Sequence, residues 1–203
     1  MTRYFYVCSY GGCGSTVLCN ALKPYGQVEH IHSRNPPEQL EYIGQNGGGS
    51  PDIYHEWFNG IPIPEPQVHQ YTVLYIYRNP IDAIMSRFRH LEHLEHIQLP
   101  DKFISLDDVR NNTVDSYKIH EFHNNYMQYR SPTRARNNRI LCIRYEELFE
   151  RQNELSQLLH LPNLHLVKRE SEHLDLCHYI DGLTAVYDNL IHEMNSNDFI
   201  TIR

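Results

Sequence analysis

Tyr4 to Leu22 reads Y-F-Y-V-C-S-Y-G-G-C-G-S-T-V-L-C-N-A-L, a succession of strand, loop and helix residue types. Tyr4 to Cys8 is an aromatic and β-branched run suited to a buried, pleated strand, and Thr16 to Leu22 repeats apolar residues at helical spacing. The loop between them, Ser9 to Ser15, carries Gly11, Gly12 and Gly14, residues that open backbone angles closed to others. A glycine-rich turn feeding a helix aims several backbone N–H groups, and the positive end of the helix dipole, at one point in space. That arrangement suits a phosphate. The common nucleoside-triphosphate form, G-x-x-x-x-G-K-[ST], needs a Lys before the hydroxyl residue. Here Gly14, Ser15 and Thr16 stand in its place, so hydrolysis of ATP or GTP is disfavoured.

Further strands and helices follow the same rules. Lys23-Pro24-Tyr25-Gly26 stops the first helix, and Val28 to His32 reads as a short strand. From Ser33 to Gln70 proline and glycine clusters mark loops, with a short helix expected at Glu38 to Ile43 and another element around Ile53 to Phe58. Long irregular segments of this kind are where substrate contacts are expected. Tyr71 to Tyr77, Y-T-V-L-Y-I-Y, is almost unbroken apolar sequence, as a central strand of a parallel sheet requires. Pro80 suits the first turn of the helix that follows, Asn79 its cap, and the helix is expected to run to about Ile97. A long helix is expected over Ser105 to Tyr129, opened by Asp107-Asp108. Arg139 to Arg144 reads as another buried strand, Arg151 to His160 as a helix, and Asp181 to Met194 as a terminal helix.

At 203 residues the chain is most simply one domain, 1–203. Its formal net charge of −7 gives no basic face of the sort nucleic-acid binders carry. No apolar run approaches the ~20 residues that cross a bilayer, and the N-terminus lacks a signal-peptide pattern, so no membrane insertion and a cytoplasmic location are expected. Five cysteines, Cys8, Cys13, Cys19, Cys142 and Cys177, are an odd number without a C-x-x-C pair, which points to reduced, buried thiols. Cys13, at a helix N-terminus, is either a thiol of lowered pKa or simply a small loop residue. His90, His93 and His96, and His120 with His123, recur at helical spacing. Neither set has H-E-x-x-H or a nearby cysteine pair, and solvated helix faces are the favoured reading.

Three landmarks together resemble the sulfotransferases that use 3′-phosphoadenosine 5′-phosphosulfate (PAPS). The loop S-Y-x-x-x-G-[ST]-T at Ser9 to Thr16 resembles their 5′-phosphosulfate loop. Y-I-Y-R-N-P-I-D-A-I-M-S-R-F resembles their 3′-phosphate motif, in which a strand ends in Arg and a Ser follows eight residues on, here Arg78 and Ser86. A guanidinium at a strand end and a hydroxyl two helical turns later can bond one phosphate. Asp82 suits the helix start, and Arg87 and Arg89 add positive potential. The strand leading to R-Y-E-E-L, with a helix ending at Leu161-Pro162, resembles the third landmark, whose Tyr lies beside adenine; this makes Tyr145 a nucleotide contact and leaves Glu146 structural.

The resemblance implies an α/β, three-layer P-loop-like domain with a central parallel sheet flanked by helices. It implies a sulfuryl transfer from PAPS to a hydroxyl or amine of a small-molecule or glycan acceptor, with adenosine 3′,5′-bisphosphate (PAP) as product and no metal. Gly11, Gly12, Cys13, Gly14, Ser15 and Thr16 would bind the 5′-phosphosulfate, and Arg78, Ser86 and Tyr145 the rest of the nucleotide. Sulfuryl transfer needs a positioned donor, positive charge at the leaving oxygen, and a base. The family's loop commonly supplies a Lys or Arg for the second task, at the position of Gly12. Lys23, Arg34, Lys168 or the loop's own N–H groups are the candidates to replace it. For the base, His55 stands about where cytosolic members carry theirs, and Glu56, His30, His32 and Glu41 remain open. Two other readings are a non-catalytic nucleotide-binding protein of the same fold, which Gly12 motivates, and a small P-loop kinase, which Ser15 disfavours.

Overall fold

The structure, a computed structural model, describes residues 3–31, 42–43, 61–62, 71–88, 114–129, 140–168 and 177–203. In chain order the elements are β1 (Arg3–Cys8), α1 (Ser15–Leu22), β2 (Gly26–Ile31), β3 (Tyr42–Ile43), β4 (Ile61–Pro62), β5 (Tyr71–Tyr77) and α2 (Pro80–Arg87). They continue with α3 (Ile119–Met127), β6 (Ile140–Arg144), α4 (Tyr145–Leu148), α5 (Gln152–Leu159), α6 (Cys177–Ser196) and β7 (Ile200–Ile202).

The main sheet has five strands in the order β2-β1-β5-β6-β7, with the first four parallel and β7 antiparallel against β6. This is the expected α/β architecture with a mostly parallel sheet. The aromatic and β-branched runs explain it, because Phe5 to Cys8, Val73 to Tyr77 and Ile140 to Ile143 are all buried, as strands covered on both faces must be. In register, Cys8 lies beside Tyr75 and Tyr75 beside Cys142, so these three share one face. Helix α3 covers that face: the Tyr126 ring stacks on Tyr75 with centroids 4.3 Å apart, and Phe122 stacks on Tyr126 at 5.2 Å. Across the sheet, the Arg3 guanidinium lies over Phe5 and donates to the Leu159 carbonyl at 2.7 Å, which places the end of α5 on the opposite face.

Several boundaries depart from the sequence reading. The helix expected from Ser105 starts only at Ile119 within the described part. Asp115 sets that start: its carboxylate accepts the N–H of Ile119 at 3.0 Å and of Glu121 at 3.3 Å, while Lys118 takes a left-handed angle. The helix expected over Glu38 to Ile43 is overturned at its last two residues, which instead pair antiparallel with Ile61–Pro62, a long-range contact overriding a local preference. The helix after Pro80 is described as far as Arg87, and the element around Ile53 to Phe58 lies outside the described residues. The terminal helix is longer than the expected span, and β7 has no counterpart in the sequence reading.

Going outward from β1 the chain takes β2 on one side and β5 on the other, so the strand order reverses between β1 and β5. Open parallel sheets bind ligands in the crevice at the carboxyl ends of such strands. The segments leaving β1, β5 and β6 there are Ser9 to Gly14, Arg78-Asn79 and Tyr145.

Candidate functional site

Cys8 ends β1, and the chain turns through Gly11, Gly12 and Gly14 at φ of 103°, 67° and 78°. These are left-handed angles that residues with a Cβ adopt at a cost. Gly14 caps α1: its carbonyl accepts from Val17 N at 3.0 Å and Leu18 N at 3.3 Å. The N–H groups of Ser15 and Thr16 belong to the first turn, where a helix offers its N–H groups no partner of its own. Ser9 Oγ donates to Ser15 Oγ at 3.0 Å across the loop. Cys13 is buried, its thiol donating to the Gly11 carbonyl at 3.2 Å, and burial pushes it up to about 12 despite the nearby Arg78 and Arg87. Of the two readings of Cys13, the small loop residue is the one that holds.

Each loop glycine faces a different side chain of the other two landmarks. A Cβ on Gly12 would lie 2.6 Å from the Ala83 carbonyl oxygen and 2.9 Å from Ser86 Cβ. One on Gly14 would enter the Tyr145 ring, and one on Gly11 would overlap the Arg87 guanidinium. The loop thus docks onto helix α2 and the start of α4 at distances only glycine permits. Arg78 ties the pieces together. It donates through Nη1 to the Gly12 carbonyl at 3.3 Å, pairs with Asp82 at 3.2 Å, and lies 4.8 Å from the Tyr145 ring centroid. Its Nε–H is buried and has no partner among the described residues. A guanidinium donor left without a protein partner suits an anion.

The third landmark is joined to the second by a hydrogen bond from the Asn79 backbone N–H to Glu146 Oε1 at 2.7 Å, so Glu146 has the structural part expected of it. Asn79 in turn caps α2 through its side chain, which accepts from Ile81 N at 2.9 Å. Tyr145 is half-buried between Arg78 and Gly14, with Phe149 edge-on at 5.5 Å; burial raises its hydroxyl pKa.

Gly11, Gly12, Cys13, Gly14, Ser15, Thr16, Arg78, Ser86 and Tyr145 accordingly surround one place. His55 does not join them here, since it lies outside the described residues, as do Glu56, His32, Glu41 and Arg34. His30 is half-buried on β2, in register with Val7. Lys23 follows the last residue of α1, about 12 Å along the helix from the loop at 1.5 Å per residue. It donates to Asn20 Oδ1 at 2.9 Å, at the end of α1 away from the loop. Lys168 is exposed and makes no ion pair among the described residues.

The histidine pairs do not act alike. His120 is exposed, whereas His123 is buried with Nδ1 3.2 Å from the Tyr75 hydroxyl, and burial lowers its pKa to about 3. His90, His93 and His96 lie outside the described residues, and no group of three metal-ligating side chains forms among the described ones. Two features of the site had little sequence signal. Arg87, read only as added potential, is buried and donates to the Tyr10 carbonyl; Tyr10 in turn donates through its hydroxyl to the Tyr117 carbonyl at 2.9 Å.

No curated protein matches the chain. The family model described as a sulfotransferase domain matches residues 67–172, just over half of the sequence. The match takes in Arg78, Ser86 and Tyr145, starts after the glycine loop, and runs ten residues past Pro162. With the two matched landmarks closed around a glycine loop at a sheet crevice, this chain belongs to the sulfotransferase domain family.

Proposed function

We propose that the chain transfers a sulfuryl group from PAPS to a hydroxyl or amine of a small-molecule or glycan acceptor and releases PAP. The observation that carries this reading is the seating of Gly12 against Ala83 and Ser86 with Arg78 on its carbonyl, because it makes the loop and the 3′-phosphate motif two walls of one site. The cradle fits the nucleotide: three glycines leave no side chain in it, and Arg78 Nε–H has a donor to offer. When bound, PAPS supplies the activated sulfuryl group. The N–H groups at Ser15 and Thr16 face the 5′ anion, Arg78 and Ser86 hold the 3′-phosphate, and Tyr145 flanks the adenine. His55 is the proposed base for the acceptor proton. Buried thiols at Cys8, Cys13, Cys19 and Cys142, all unpaired by disulfides, support a reducing compartment such as the cytoplasm.

A non-catalytic nucleotide binder is the second reading, and the closed space at Gly12 favours it by leaving no room for a loop cation. Calorimetric titration with PAP, AMP and Mg·ATP tests the site. Micromolar PAP binding, about −8 kcal/mol, with much weaker AMP binding is expected. Preference for Mg·ATP, or no binding, would overturn the donor assignment. Turnover of radiolabelled PAPS against acceptor pools then separates the two readings, and His55→Ala is expected to abolish transfer while leaving PAP affinity unchanged.

A further inference from the structure

Position 12, where the family's loop commonly carries its cation, has no room for one. With φ at 67° and the Ala83 carbonyl 2.6 Å from the site of a Cβ, any side chain there strains the backbone and displaces α2. Positive charge does reach the loop, but from beneath. Arg87, on the last turn of α2, is only 2% exposed. Its guanidinium donates to the Tyr10 carbonyl, lies 5.8 Å from the Tyr10 ring centroid, and fills the volume that a Cβ on Gly11 would need.

We infer that Arg87 is the positioning residue of the loop: through Tyr10 and the turn at Gly11 it fixes the loop's N–H groups toward the 5′ anion and supplies the positive potential that position 12 cannot. Burying a guanidinium costs far more than burying an apolar chain of the same length, so filling space does not account for it. In a water-poor setting the charge acts over a longer range than it would at the surface. The same charge, with that of Arg78, opposes the burial that raises the Cys13 pKa. Arg87 also follows Ser86 directly, so one turn of α2 presents a hydroxyl to the proposed 3′-phosphate pocket and a guanidinium to the underside of the 5′ loop. The inference rests on the donor site proposed above.

The test uses Arg87→Met, Arg87→Gln and Arg87→Lys beside the unmodified protein, each titrated with PAP and with 3′-AMP. The ratio of the two affinities isolates the 5′-phosphate. The neutral variants are expected to lower that ratio about tenfold, or about 1.4 kcal/mol, and Arg87→Lys to keep most of it. A neutral variant that melts at a lower temperature but keeps the ratio would show Arg87 to be only structural and overturn the inference. Should neither neutral variant fold, the side-chain Nε–H resonance of Arg87 in the unmodified protein, assigned by its loss in Arg87→Lys, must move on adding inorganic phosphate; a stationary signal overturns the inference. If the unmodified protein binds neither nucleotide, the PAPS reading fails by itself. Arg87 is then judged by phosphate alone: a phosphate-induced rise in melting temperature lost in Arg87→Met supports it, and a rise that persists, or none in the unmodified protein, overturns it.

Discussion

Gly14 combines a φ of 78° with contact to the Tyr145 ring, so Gly14→Ala suffers both a left-handed backbone, about 1–2 kcal/mol, and a collision with a ring held by Arg78 and Phe149. A lower melting temperature and at least a tenfold loss of PAP affinity are expected, measured by thermal denaturation and calorimetry. Gly12→Lys, which restores the family's residue type, is expected to lower both stability and PAP affinity rather than improve transfer. At Arg78, lysine is a poor substitute for arginine, because the native guanidinium serves the Gly12 carbonyl, Asp82 and the Tyr145 ring together. Arg78, Ser86 and Tyr145 were readable as motif positions because each stands at a set distance from a strand end, and the structure brings Gly12 against Ser86 and Arg78 against Tyr145. The same reading treated Gly12 as a lost cation. Its second meaning, a contact surface for Ala83 and Ser86, depends on how two segments about 70 residues apart in sequence approach, and no local pattern encodes that.

At the level of elements, helix α2 positions both Ser86 and Arg87, and Asn79 starts it. Asn79→Ala removes the acceptor for Ile81 N and is expected to cost about 1 kcal/mol in urea unfolding, with PAP affinity falling alongside because Arg78 precedes the cap. Apolar runs fixed the strands well, as Tyr71–Tyr77 shows, since a strand buried on both faces has to be apolar almost throughout. Helix starts were less legible. The expected opener, the Asp pair at 107–108, lies outside the described residues, and within them Asp115 caps α3 while also accepting from the Tyr187 hydroxyl at 2.9 Å. The partner that recruits Asp115 lies 72 residues away on α6, so its preference is set by tertiary contact.

The molecule as a whole buries a histidine, and its stability inherits a pH dependence from it. Burial, with a smaller contribution from His120, lowers the His123 pKa from 6.5 to about 3, so His123 stays neutral in the fold while the unfolded chain takes up a proton below 6.5. The unfolded state then binds more protons, and stability is lost as pH falls from about 6.5 toward 3. The slope approaches ~1.4 kcal/mol per pH unit from this group. Urea unfolding at pH 7 and pH 5 measures it, and His123→Phe is expected to shrink the difference between the two by about 2 kcal/mol. The antiparallel strand β7 escaped the sequence reading because Ile200–Ile202 is too short to show a pattern. Its bonds are nonetheless specific: Ile140 and Arg203 exchange N–H to carbonyl bonds at 2.8 and 2.9 Å, and Arg144 N reaches the Phe199 carbonyl at 3.0 Å. This placement imposes an order on synthesis. The glycine loop, Arg78 and α2 have all left the ribosome while β6, the strand leading to Tyr145, still shows an open edge, and that edge closes only when residue 202 emerges. A ribosome-stalled chain halted before Ile200 is thus a nascent protein with its glycine loop, Arg78 and α2 made and its sheet still able to pair with a neighbour's.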